Sequence, residues 1–268
     1  MRQQISEILE KARGIQIICV GDLMLDRYVY GGVGRVSPEA PVPVLRKTSS
    51  TEVPGGAGNV ARNLSALGLR TIMIGCVGDD EAGTQLTDLL EADPLISCRL
   101  VRTGNMPTVI KTRFIAGTQQ LLRVDTEDDK PDLADASLEI GKLVDAAAKT
   151  ASLIIVSDYA KGAINPAVFD ACIKAARAND IPVLVDPKSK DFSIYAGASL
   201  IKPNASELAA ASGLPTASDS DVDAALSAMA NLLPDTRLVV TRAGKGMSWH
   251  ESSTTFHMKG EARQVFDV

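Results

Sequence analysis

The sequence predicts an α/β fold: a mostly parallel sheet held between two helical layers, with a small β-sheet lid set over it. Three observations carry this expectation. From residue 133 to 241, short aliphatic runs alternate with helical stripes at a spacing that fits right-handed βαβ crossovers. Aromatic residues make up only 4% of the chain, which suits aliphatic helices packed on a parallel sheet. Two stretches, 26–47 and 108–124, hold interrupted strand-like runs of mixed polarity, as short exposed strands of a second sheet would. At 268 residues and 45% apolar, one large domain over 1–268 is the simpler organisation.

Taken in order, residues 3–13 read as a helix ended by Gly14, and 15–20 as a buried strand. The stretch 26–47 mixes Tyr28, Val29 and Tyr30 with Gly31, Gly32 and Gly34, then alternates Val42 and Val44 with prolines. A helical stripe through Val60, Leu64 and Leu67 stops at Gly68; a strand over 71–77 and a helix through Leu86, Leu89 and Leu90 follow. Strand-like runs come next at 97–102, 108–115 and 120–125, and a polar stretch over 126–132 closes this half. Beyond it lie a helix over 133–149, a strand at 153–157, a helix over 166–178 and a strand at 182–186. A strand at 199–202, helices over 206–212 and 219–233, and a strand at 237–241 complete the pattern.

The net charge of −5, with no basic block, argues against a nucleic-acid partner. Cys19, Cys76, Cys98 and Cys172 are widely spaced and form no CxxC pair, so they read as structural thiols of a reducing compartment. The N-terminal segment is polar rather than signal-like, and no run reaches the ~18–20 apolar residues of a membrane span. A cytoplasmic location is the default expectation.

Ligands of open parallel sheets bind beyond the carboxyl ends of the strands. Four strands end there in polar residues: IICVGD in Asp22, LIIVSDY in Asp158, VLVDPK in Asp186 and Lys188, and LIKPNASE in Lys202 and Asn204. One acid after a strand is commonplace as a turn or cap residue, but four along one edge point to a site. Pro54-Gly55-Gly56-Ala57-Gly58-Asn59 opens a helix, where glycines admit close backbone approach and free N–H groups meet anionic or hydroxyl oxygens; packing is the alternative. It lacks the Gly-Lys-Ser/Thr ending of a P-loop, and GVGRVS at 32–37 has no strand–helix frame for a dinucleotide site. In Lys202-Pro203-Asn204-Ala205-Ser206-Glu207, Asn204 or Ser206 could cap the next helix, or Glu207 could lie near a hydrated Mg²⁺ beside nucleotide phosphates. Thr241, Gly244 and Gly246 belong to a strand and turn that could lie beneath an adenosine phosphate tail, or form a plain hairpin turn.

In sequence, these motifs resemble the ribokinase-like (PfkB) carbohydrate kinases over essentially the whole chain: GDLMLD (21–26), PGGAGNVARNLSALG (54–68), VGDDEAG (77–83), DPK (186–188), KPNASE (202–207) and VTRAGKGM (240–247). Within that family, DLMLDRYVYGGVGRVSPEAPVPV (22–44), QQLLRVD (119–125) and SDYAKG (157–162) look like the branch that phosphorylates D-glycero-β-D-manno-heptose 7-phosphate in ADP-heptose synthesis, often as the first domain of a bifunctional enzyme. The resemblance implies a ribokinase-like sandwich that holds sugar and ATP with Mg²⁺, and a lid that covers the sugar and often pairs with a second subunit's lid. By the same resemblance Asp22, Asp26, Gly55, Gly56 and Asn59 would contact sugar hydroxyls. Arg35, Lys111, Arg113 and Gln120 are candidates for the 7-phosphate, because an anionic end needs cationic or multiply donating partners, and ordinary surface charge is the alternative. Asn204, Glu207, Thr241, Gly244 and Gly246 would line the nucleotide and Mg²⁺, with Asp158, Lys161, Asp186 and Lys188 near the transferred group.

Kinases of this family carry a later Gly-Ala-Gly-Asp signature, whose Asp takes the hydroxyl proton and whose N–H groups meet the charge on the moving phosphoryl group. Gln264-Val-Phe-Asp267-Val268 resembles the approach to it, with Asp267 in the place before the signature, and the fold is expected to lack its C-terminal part. No residue up to Val268 takes the role of catalytic base, and the chain as it stands is expected to lack kinase activity or nearly so. A kinase for another sugar, or a non-catalytic sugar-phosphate or nucleotide-binding protein, are the alternatives.

Overall fold

A computed structural model describes residues 2–128, 131–251 and 254–260. The stretch 264–268, read as the approach to the family signature, lies outside the described residues. The chain runs α1 (Arg2–Ala12), β1 (Gln16–Gly21), β2 (Leu23–Val36), β3 (Pro43–Gly56), α2 (Ala57–Ala66), β4 (Arg70–Gly78), α3 (Glu81–Glu91) and β5 (Ile96–Thr103). The next elements are β6 (Val109–Ala116), β7 (Gln119–Thr126), α4 (Ala134–Ala148), β8 (Leu153–Ser157), α5 (Pro166–Asn179) and β9 (Val183–Asp186). Last come β10 (Leu200–Ile201), α6 (Ala205–Ser212), α7 (Asp219–Leu232), β11 (Arg237–Thr241), β12 (Met247–Glu251) and β13 (Thr254–Met258).

Among the described residues the large sheet has the order β13-β12-β11-β10-β9-β8-β1-β4-β5. It is parallel from β11 to β5 and antiparallel at β12 and β13. Strand pleating divides the core. Ile18 and Val20 of β1 join Ile72 and Ile74 of β4 in a cluster with α4, α5, α6 and α7, while Cys19 and Met73 turn the other way against α2 and α3. Both faces of β1 and β4 are therefore covered. Toward β12, the second-face residues Ile155, Leu184, Val239 and Trp249 are only half-buried among the described residues.

The helices start where their caps dictate. Asp80 caps α3 by accepting from the Gly83 N–H, and Asn165 caps α5 with Pro166 in the first turn. Asn204 and Glu207 form a reciprocal capping box at α6, which ends on Gly213 at φ +69°.

The second sheet has the order β3-β2-β6-β7 and differs from expectation in extent. β2 and β3 are each 14 residues long, and they leave the large sheet at Leu23 and return to it at Gly56. The glycines that read as interruptions sit at register shifts, between Tyr30 and Gly31 and between Val33 and Val36, which bend the ladder without ending it. Pro54, Gly55 and Gly56 thus close a strand, and α2 begins only at Ala57. The β12–β13 hairpin was also absent from the expected pattern; its alternation is confined to two five-residue runs.

Candidate active site

β10, β9, β8 and β1 are consecutive neighbours, so Lys202, Asp186, Asp158 and Asp22 follow one another along the carboxyl rim of the sheet. At ~4.8 Å between strands, the four ends span roughly 15 Å. The polar residues read from four separate motifs converge.

At the centre of that rim two acids face inward. Asp22 is 1% exposed. One of its carboxylate oxygens accepts from the N–H groups of Tyr159 (2.7 Å) and Lys161 (3.1 Å), the other from Ala163 (2.9 Å). Burial pushes its pKa up, the three N–H groups pull it back, and nearby Asp158 adds to the rise. Asp22, expected at the sugar hydroxyls, has both oxygens engaged in shaping the 158–163 turn. Its carbonyl accepts from the Ala57 N–H at 2.9 Å, and a Cβ on Gly56, which has φ +58°, would overlap that carbonyl. Gly56 is therefore glycine because the start of α2 packs onto Asp22.

Asp158 is also buried. It accepts from the Tyr195 hydroxyl and from the Ala160 N–H (2.7 Å). Tyr195, fully buried, in turn accepts from the N–H groups of Lys188 (3.4 Å) and Ser189 (3.3 Å). Burial first, and then Asp158, push the phenol's pKa up, so it stays protonated and donates. One hydroxyl ties the turn after β8 to the turn after β9.

The polar face of the lid meets this rim. Asp26, Lys111 and Asp125 share one register row, and Tyr28, Arg113 and Arg123 the next row on the same face. Arg113 pairs with Asp26 at 2.5 Å and lies over the Tyr28 ring, 5.2 Å from its centroid. Lys111 pairs with Asp125 (3.0 Å) and reaches Glu127 (3.6 Å), which Lys161 of the rim approaches to 2.7 Å. Gly55 packs against the Asp26 carboxylate, where a Cβ would collide. Asn59 is exposed in the first turn of α2, and Gln120 is exposed on β7. Arg35 is not brought to this cluster: β2 carries it roughly 30 Å beyond Asp26, to an exposed place beside a cavity of about 670 Å³ at the lid's far end.

Toward β11 the acids are partly buried and ion-paired. Lys202 meets Asp186 at 2.9 Å and Lys188 meets Glu207 at 3.2 Å. Thr241 bridges to Asn204, and its N–H donates to the Pro203 carbonyl at 3.0 Å. Gly244 lies open, whereas Gly246 has φ +94° and a Cβ there would strike the Met258 carbonyl, so it serves the hairpin's close approach. One oxygen of Glu207 accepts from the Asn204 N–H (2.9 Å) and the other from Lys188. That arrangement fits a hydrated Mg²⁺ held through water, whereas direct ligation would have to displace Lys188.

The model of the pfkB family of carbohydrate kinases matches residues 15–268. The chain belongs to that family. Its pfkB kinase domain is 43% identical over 269 residues to the bifunctional protein HldE of Hyphomonas neptunium, covering 100% of this chain and 55% of that protein. It is 46% identical over 255 residues to the bifunctional protein HldE of Azorhizobium caulinodans, covering 94% and 53%. The chain spans about half the length of these curated relatives. Among solved structures, Escherichia coli phosphofructokinase-2 in complex with fructose-6-phosphate superposes with a TM-score of 0.72 at 20% identity, over 94% of this chain and 81% of that one. Arabidopsis thaliana ribokinase complexed with ribose and ATP gives 0.66 at 16%, over 95% and 80%. The ribokinase-like fold is thereby established. Among the described residues no helix is long and apolar enough to cross a membrane.

Three residues escaped the sequence reading. Glu127 sits in a polar stretch that reads as a connection. Tyr195 follows DPK in a short helical turn, where an aromatic residue amid polar neighbours was the available signal. Asp80, inside VGDDEAG, caps α3 and also accepts from the Thr108 N–H (2.8 Å) and hydroxyl (2.7 Å), pinning the start of the lid strand β6.

Proposed function

We propose that this is the kinase domain of a cytoplasmic enzyme that uses ATP and Mg²⁺ to phosphorylate D-glycero-β-D-manno-heptose 7-phosphate at the C1 hydroxyl. The product would be the 1,7-bisphosphate of ADP-heptose synthesis, which serves the lipopolysaccharide core. The observation that carries the reading is the meeting of Lys111 of the lid with Lys161 of the rim at Glu127, with Arg113 paired to Asp26 on the same lid face. Cations from two bodies facing one cleft suit a sugar that is already anionic. The whole-length identity to HldE proteins and the SPEAPVP and DYAKG motifs support the same substrate.

In this reading Asp26, Gly55 and Asn59 line the sugar, Lys161 and the lid cations hold its phosphate, and Lys188 and Lys202 orient the triphosphate. Asn204, Glu207, Thr241 and Gly244 line the nucleotide. Mg²⁺, when bound beside Glu207, would neutralise phosphate oxygens. Calorimetry of residues 1–268 with heptose 7-phosphate and with the unphosphorylated heptose tests the substrate, alongside turnover by the chain extended through the signature. Binding and turnover confined to unphosphorylated sugars would overturn the assignment. The lid is further proposed to pair with a second copy through exposed Val33, Leu122 and Val124. Sedimentation showing a monomer at micromolar concentration would remove that partner.

A further inference from the structure

We infer that Glu127 is an internal anion standing where a substrate phosphate binds, and that the phosphate enters by displacing it from Lys111 and Lys161. This rests on the reading of the cleft as one for a phosphorylated sugar, and it names the residue that would make the cleft selective for it.

Two ammonium groups from different parts of the molecule converge on a single oxygen. Glu127 Oε2 lies 2.7 Å from Lys161 Nζ and 3.6 Å from Lys111 Nζ. That oxygen is buried, and the three side chains are only 15–23% exposed. Lys111 stands on lid strand β6, in register with Asp26 and Asp125. Lys161 stands in the 158–163 turn, whose backbone Asp22 fixes from below. Neither lysine's backbone is free to wander, whereas Glu127 lies just past the end of β7, outside any strand or helix.

The charge balance explains why an internal anion is needed. Four cations, Lys111, Arg113, Arg123 and Lys161, are ion-paired in this cluster with three carboxylates, Asp26, Asp125 and Glu127. The local sum is therefore +1, and it would be +2 without Glu127. Asp26 and Asp125 are held by arginines as well as by strand pairing, so Glu127 is the carboxylate whose release costs least structure. Lys161 beside it holds Glu127 below the usual carboxylate range, so it is ionised at neutral pH. A phosphate offers more charge and more acceptor oxygens than one carboxylate, and can take both lysines at once. A neutral sugar offers nothing to replace the pair, and so leaves the lysines committed to Glu127.

The test is calorimetric titration of residues 1–268 with inorganic phosphate as the probe. Glu127→Gln, which keeps the shape and removes the charge, should bind phosphate about tenfold more tightly than the unsubstituted chain. Adding Lys161→Met should cancel the gain. Glu127→Asp, which keeps the charge and draws it back by one methylene, should give a smaller gain in the same direction and covers the case in which Glu127→Gln does not fold. Unchanged or weaker phosphate binding in Glu127→Gln and Glu127→Asp, or a gain that survives Lys161→Met, overturns the inference. Heptose 7-phosphate separates it from the substrate reading. If phosphate binding tightens but heptose 7-phosphate does not bind, the internal anion stands and the substrate assignment falls. If heptose 7-phosphate binds the unsubstituted chain and no variant tightens phosphate binding, the reverse holds.

Discussion

Asp22 and Asp158 stand at the middle of the sheet's carboxyl rim, Asp186 and Glu207 toward its flank, and the two pairs are handled in opposite ways. The central pair is buried and engaged by backbone N–H groups and a phenol, while the flanking pair is only partly buried and each acid is held by a lysine. All four follow a strand in the sequence. The difference lies in what the next few residues do. The turn after β8 closes over both central acids, its N–H groups meeting Asp22 and Asp158, whereas after β9 and β10 the chain leads outward into a loop or a helix. A rim of this kind thus has a structural centre and a chemical flank.

The strongest way to break that division is at Asp22. Asp22→Ala would leave three N–H groups without acceptors, one of them buried and two partly buried, and should cost about 3–5 kcal/mol in chemical denaturation. A loss below 1 kcal/mol would mean that the turn holds without the acid, and the central pair would no longer be structural. Next in size is Tyr195→Phe, which removes one donor to buried Asp158 and the acceptor of two N–H groups, for about 1–3 kcal/mol. Because Tyr195 also fixes the backbone at Lys188, nucleotide affinity should fall several-fold; unchanged affinity alongside lost stability would restrict Tyr195 to the core.

A smaller effect distinguishes the acids by pH. Lys161 lowers the pKa of Glu127, so its contribution to stability is present above the ordinary carboxylate range and is lost as pH falls through the lowered value. Asp22 has the opposite sign: burial raises its pKa, which favours the folded state at low pH, and that advantage is lost as pH rises through the raised value. Unfolding free energy measured against pH should therefore show a flatter acid limb in Glu127→Gln than in the unsubstituted chain. Parallel limbs would show that Glu127 gains nothing from Lys161.

The sequence displayed the sheet almost strand by strand because β1, β4, β8 and β9 are short aliphatic runs whose burial is a local property of composition. Its motifs also located the rim. It could not show the length of β2 and β3, because their glycines look like chain breaks until register shifts absorb them. Nor could it show which way a carboxylate turns. Asp22 finds its donors at Tyr159, Lys161 and Ala163, far along the chain, and no local pattern announces that closure. Glu127 was illegible for the same reason, since its partners come from β6 and from the turn after β8.

The smallest expected effect on stability is at Asp186. Its partner Lys202 lies 2.9 Å away, but their side chains are 38% and 43% exposed, so water screens the pair and competes for both ends. Asp186→Ala should shift stability by less than about 1 kcal/mol, while releasing Lys202 to meet phosphate oxygens unopposed. ATP binding measured without Mg²⁺ should then tighten if Asp186 serves only to hold Lys202, and weaken if the carboxylate itself orders the nucleotide end of the cleft. A stability loss as large as that of Asp22→Ala would erase the distinction between centre and flank, because an exposed ion pair has no buried donors to orphan.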